Sequence, residues 1–153
     1  MKQSIQSFSL IEVIIFVGIL GMFFVTGMIV VVYSLQTMKV NQHKLIATQY
    51  GEQLSAWLRA QKEADWNSFV SHASIVGITY CFKDSPISDW PVSQGDCGVA
   101  DYVNVSPNIF RRWAILTSDS SPPTRVTIEI TVEWKEGGNT YSIPLATVVS
   151  RFE

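Results

Sequence analysis

The residues able to do chemistry are few and scattered. Cys81 and Cys97 are the only cysteines, and His43 and His72 the only histidines. Two thiols rule out a zinc cage made of cysteine alone, and the gap between them excludes a C-x-x-C redox pair. They are either a disulfide or two buried free thiols. His43 falls in a polar stretch and His72 near an expected helix end, so both read as solvated. Asp84, Asp89, Asp96 and Asp101 cluster in sequence. Calcium requires six to eight oxygen ligands and a loop of fixed spacing, and no D-x-D-x-D-G pattern occurs, so solvated carboxylates are expected. Arg111 and Arg112 beside Trp113 are a basic pair of the kind that touches phosphate, but two such residues read more simply as sheet-surface charge. Trp57 and Trp134 read as core, and Trp90, in an Asp-Trp-Pro loop, as an exposed contact residue. No nucleophile–base pair, phosphate loop or metal-ligand cluster assembles from these residues, so no enzyme, cofactor or metal is expected. The most informative group is Glu12, a lone carboxylate at the edge of a long apolar run. In a membrane helix such a group costs a few kcal/mol, unless it sits wet among headgroups.

The elements that position these groups follow from composition and period. The chain has 153 residues, 11 basic against 13 acidic side chains, and only 16% charged residues, where an ordinary soluble domain has roughly 25%. A net charge of −2 argues against nucleic-acid binding by bulk electrostatics. The deficit is local: no charged residue occurs from Val13 to Met38. A bilayer core needs about 20 apolar residues. A signal peptide's apolar region is about 7–15 residues, with a small-residue cleavage site after it. The run is too long for a signal, no such site follows, and it reads as a membrane-spanning helix. Gly18, Gly21 and Gly27 within it fit either ordinary membrane-helix composition or close helix–helix approach. Lys2 on one flank and Lys39 and Lys44 on the other leave orientation undecided. The helical pattern continues past the apolar run. Leu35, Met38, Leu45, Leu54, Trp57 and Leu58 recur at one-face spacing, which predicts one helix over Ser9–Ala64. Asp65 reads as the cap of a short helix from Trp66 to about His72.

From Ser74 the period changes to two. Val76–Phe82, Phe110–Leu116, Val126–Trp134 and Tyr141–Val149 read as strands. The last two form a hairpin with a four-to-five-residue loop around Gly137-Gly138, and Pro144 moves the last strand to a sheet edge. Lys83–Ala100 is a long loop and Thr117–Thr124 a polar linker. The amphipathic half of the helix and the apolar face of the sheet must cover each other. The expected fold class is therefore α+β, a long N-terminal helix packed against an antiparallel sheet.

Phe8-Ser9-Leu10-Ile11-Glu12-Val13 follows a short polar leader and opens the unbroken apolar helix. Over roughly Ser7–Val32 the chain resembles the type IV prepilins and type II secretion pseudopilins, at their cleavage and methylation motif. The resemblance implies a pilin-like fold and three segments: a leader at 1–7, a transmembrane and assembly helix at 8–38, and a pilin-like α+β domain at 39–153 that includes the amphipathic half of the helix. It implies a prepilin peptidase that cuts between Ser7 and Phe8 and methylates the Phe8 amine. Glu12 then matches the glutamate that pairs with a terminal amine during assembly. Ser7 stands where the family usually has glycine, and the helix lacks the proline of many major pilins. Both departures lean the reading toward a minor pilin or pseudopilin.

The partners so implied are the peptidase, other pilin or pseudopilin subunits, and the membrane before assembly, with no nucleic acid and no small-molecule substrate. The implied location is the cytoplasmic membrane in single-pass form, N-terminus in the cytoplasm, and then a surface or periplasm-spanning filament. In an exported domain a Cys81–Cys97 disulfide is the default, worth about 3 kcal/mol by loop-closure entropy. The alternative from another class is an unprocessed single-pass membrane protein with an extracytoplasmic ligand- or partner-binding domain.

Overall fold

The computed structural model describes residues 9–92, 94–98, 100–106 and 108–151. Helix α1 spans Leu10–Ala64 and α2 Trp66–Val70; strands β1 to β4 span Ile78–Cys81, Phe110–Ser118, Arg125–Glu136 and Asn139–Ser150. The sheet is antiparallel in the order β1-β2-β3-β4, and the class is α+β as expected. The chain falls into two compact units that divide after Asn41, α1 contributing to both.

In the unit that begins at Gln42, α1 buries Ala47, Gly51, Leu54 and Leu58. Their spacing of three and four residues makes one stripe. Gly51 permits the closest approach to the sheet: a Cβ there would lie 3.0 Å from Leu145 Cδ1 and 3.6 Å from Val132 Cγ2. The expected face included Leu45, but Leu45 is 68% exposed. At about 100° per residue position 45 points away from the stripe that begins at Ala47. Two small residues carry the contact there, and a hydrophobicity pattern weighted to leucine passes over them. Leu35 and Met38 are exposed as well.

Asp65 has an extended backbone, and its carboxylate accepts the Asn67 N–H at 2.9 Å, capping α2 as expected. The helix stops two residues short of His72, where the Ser71 hydroxyl and the His72 ring both turn back to the Ser68 carbonyl.

Strands β2 and β3 alternate strictly. Phe110, Arg112, Ala114, Leu116 and Ser118 face inward on one, and Val126, Ile128, Ile130, Val132 and Trp134 on the other. The register places Phe110 opposite Trp134, Arg112 opposite Val132, Ala114 opposite Ile130 and Leu116 opposite Ile128. The sheet thus meets the helix through two adjoining cores. One gathers Leu54, Leu58, Phe69, Tyr80, Phe82 and the aliphatic centre of β2 and β3. The other gathers Ala47, Val103, Phe110, Val132 and Trp134. The hairpin loop is tighter than expected. Glu136 pairs with Asn139, leaving only Gly137 and Gly138, with φ of +58° and +84°. Two successive positive φ angles match a type I′ turn, whose twist suits a strand pair, so the ladder zips up to the glycines. β4 is one edge of the sheet, with Pro144 opposite Thr131.

Candidate functional site

Two regions hold the residues singled out by the sequence. The first is α1 up to Asn41. Glu12 lies in its first turn and is exposed. The Ser9 carbonyl accepts the Glu12 and Val13 amides at 3.0 and 3.3 Å, opening the helix one residue before Leu10. Ser7 and Phe8, the expected cleavage and methylation residues, lie outside the described residues. This is the one helix long and apolar enough to cross a membrane among the described residues, and none of its most apolar stretch is buried. Its two threonine hydroxyls are satisfied locally: Thr26 donates to the Met22 and Phe23 carbonyls, and Thr37 to the Tyr33 carbonyl. Such back-bonding removes donors that hydrocarbon cannot satisfy. A Cβ added at Gly18, Gly21 or Gly27 would meet no side chain within 4 Å beyond its chain neighbours.

The second region is the loop between β1 and β2. Cys81 and Cys97 form a disulfide with their Cα atoms 5.6 Å apart. The returning chain also pairs with β1, through a bridge from Gln94 to Tyr80 and a bond from the Gly95 N–H to the Thr79 carbonyl. Trp90 is not the free contact residue expected. Its ring stacks on His72 at 3.9 Å and 9° and meets Trp57 and Tyr80 edge-on at 5.2 and 5.3 Å. A large aromatic at a loop tip gains more by joining an apolar cluster than by remaining wet. The Tyr80 hydroxyl, in the same cluster, has its pKa raised by burial.

Arg112 corrects the sequence reading most sharply. It is fully buried rather than a surface charge. Its guanidinium donates to the Phe82 carbonyl at 3.2 Å, the Asp84 carbonyl at 2.6 Å, Gln53 Oε1 at 2.9 Å and the Tyr50 carbonyl at 3.4 Å. It also lies 5.5 Å from the centre of the Tyr50 ring. Burial lowers its pKa to about 10, partly offset by Tyr50 and Asp84, so it stays charged at neutral pH. Neutral oxygens in a converging fork replace water for a cation whose removal from water is otherwise expensive. The result ties the start of the loop to α1. The signal was present in the alternation, since Arg112 shares parity with Phe110, Ala114 and Leu116. Arg111, of opposite parity, pairs instead with Glu133 and donates to the Cys97 carbonyl at 3.2 Å.

Both histidines have partners rather than only solvent. His43 Nδ1 is 2.9 Å from Glu136 Oε2, beside Phe110. His72 Nδ1 faces the Ser68 carbonyl at 2.9 Å. The acidic residues of the loop do not converge. Asp84 accepts from Asn104 at 3.1 Å and Asp101 accepts the Gly98 N–H at 2.8 Å. Among the described residues no three of His, Cys, Asp and Glu stand together as metal ligands would. The geometry therefore provides a bilayer-length apolar surface led by a carboxylate, and a loop fastened to a sheet by a disulfide, by pairing with β1 and by the Arg111 and Arg112 side chains. The chain matches no protein-family model, no curated protein and no solved structure.

Proposed function

We propose that the protein is a type IV pilin-like subunit, a minor pilin or pseudopilin. In this reading a prepilin peptidase removes residues 1–7, methylates the Phe8 amine, and releases a subunit whose apolar helix packs among those of its neighbours. The work is mechanical, not catalytic. The observation that carries the reading is the FSLIEV motif placed where a bilayer-length helix begins, with Glu12 in its first turn. The disulfide supports placing the domain outside the cytoplasm, with the N-terminus inside.

Glu12 has a physical role here. Cleavage creates a cationic amine four residues before it, since an α-amine titrates near 7.7–8.0 and methylation keeps its charge. A neighbouring subunit displaced along the filament axis brings its own Phe8 amine to this carboxylate, which neutralises Glu12 and sets the axial register. The intact mass of the membrane-extracted protein tests processing: a chain that still begins at Met1 beside an active prepilin peptidase overturns the reading and favours an unprocessed membrane receptor. Glu12→Ala is expected to leave insertion and leader removal intact and to deplete the subunit from sheared filaments. Wild-type incorporation of that variant rejects the pairing mechanism alone.

A further inference from the structure

A pocket of about 250 Å³ opens on the face of the sheet turned away from α1, lined by Thr79, Asp96, Arg111, Trp113, Ile115 and Glu133 with Cys97. The register builds it. Trp113 sits opposite Cys81, Ile115 opposite Thr79, and Arg111 opposite Glu133. The disulfide carries Cys97, and with it Asp96, to the strand position next to Trp113. The Arg111 bond to the Cys97 carbonyl fixes the same wall from the other side.

Its hydrogen-bonding groups are largely uncommitted. Among the described residues, the Trp113 Nε1–H, the Thr79 hydroxyl and the Asp96 carboxylate have no partner. Glu133 uses Oε1 for Arg111 and keeps its second oxygen. The pocket thus offers one aromatic surface, one aliphatic side chain, one N–H donor, one hydroxyl and two carboxylates. The Arg111–Glu133 pair cancels, and Asp96 leaves one negative charge. An anion is repelled by Asp96. A bare cation is drawn by that charge but gives up water without replacement, since among the described residues no three ligating groups stand together. A neutral ring that is apolar on one face and carries hydroxyls at its rim meets neither penalty. Its C–H face covers the indole, and its hydroxyls donate to carboxylates, the stronger class of hydrogen bond. The volume lies below the roughly 300–1,000 Å³ of sites for drug-sized ligands, which suits a single ring. We propose that this pocket binds one residue of a neutral saccharide, with Trp113 as the stacking surface and Asp96 as the principal hydroxyl acceptor. The site is independent of the filament reading, because it uses only residues of the sheet and its loop.

The test uses the full chain in a detergent without sugar headgroups. Glucose, galactose, mannose and N-acetylglucosamine are titrated singly, with saturation transfer to sugar protons giving affinity and the Trp113 indole N–H resonance giving location. At least one sugar is expected to saturate in the millimolar range, to shift the Trp113 resonance, and to bind about tenfold or more weakly to Asp96→Asn and to Trp113→Ala, a loss of about 1.4 kcal/mol per tenfold step. Asp96 is exposed, so Asp96→Asn tests the site even where Trp113→Ala does not fold. A methyl glycoside that binds as well as the free sugar assigns the site to a chain-linked glycan, and a tenfold weaker one to free sugar. The proposal is overturned if none of the four sugars saturates. It is equally overturned if Asp96→Asn binds with unchanged affinity, or if methylammonium or inorganic phosphate shifts Trp113 where the sugars do not.

Discussion

One helix behaves as two different materials. From Leu10 to Met38 every apolar side chain of α1 is exposed. From Gln42 onward the same helix hides Ala47, Gly51, Leu54 and Leu58 against a sheet. Both stretches belong to one continuous α-helix, so the difference lies in what covers the side chains. The second stretch is stabilised by burial within the chain. The first presents an all-round apolar surface, and such a helix finds its cover in lipid or in other helices.

The largest effect that probes this contrast is core truncation. Leu54→Ala is expected to destabilise the sheet-bearing unit by about 2–5 kcal/mol, the range for emptying a buried leucine site. Leu20→Ala is expected to change the same transition by less than about 0.5 kcal/mol, as for surface substitutions. Urea unfolding followed by tryptophan fluorescence reads this cleanly, since all five tryptophans lie after Gln42. A second comparison reverses the order. Val25→Arg places a charge mid-run and is expected to cost insertion about 2.5–3.5 kcal/mol, seen as loss from the carbonate-resistant membrane fraction. Gln49→Arg, on the exposed side of the second stretch, is expected to leave both insertion and unfolding unchanged.

The smallest effect concerns charge. Val13 to Met38 carries none, so acid sensitivity must come from elsewhere. Asp119 is a defined source in the β2–β3 loop. Its carboxylate accepts the Thr124 hydroxyl at 2.6 Å and the Thr124 and Arg125 amides at 3.0 and 3.1 Å. These bonds, the Thr124 hydroxyl foremost, hold its pKa well below the ordinary 3.8. A depressed acid stabilises the fold above its unfolded pKa and loses that contribution as pH falls through the folded value. The gap in thermal midpoint between wild type and Asp119→Ala is therefore expected to be constant from neutral pH down to about 5 and to narrow below 3.8.

Much of this was readable residue by residue. The alternation of Val126–Trp134, the consecutive glycines at 137 and 138, Pro144 on an edge strand and the Asp65 cap each depend on a few neighbours in the chain. With two cysteines in all, the bridge had one possible pairing. Where reading failed, the deciding contact came from far away. Arg112 reads as a surface charge because arginine rarely sits inside, yet its acceptors lie on α1 and at the start of the loop, at residues 50, 53, 82 and 84. Trp90 and His72 read as solvent-facing groups, and their partnership joins two segments that nothing in the sequence aligns.

Period and composition thus suffice for the bilayer-length helix, the strands and the hairpin, because each is a local property of backbone geometry and side-chain polarity. They do not suffice for the partners of Arg112 and His43 or for the position of Asp96. Each of these depends on the path of a loop or the register of distant strands, and that path follows from the packed core and from the disulfide that draws Cys97 to Cys81. The two carboxylates at the Trp113 pocket show the difference. Glu133 arrives there by strand register against Arg111, and Asp96 only because the folded loop returns across the sheet.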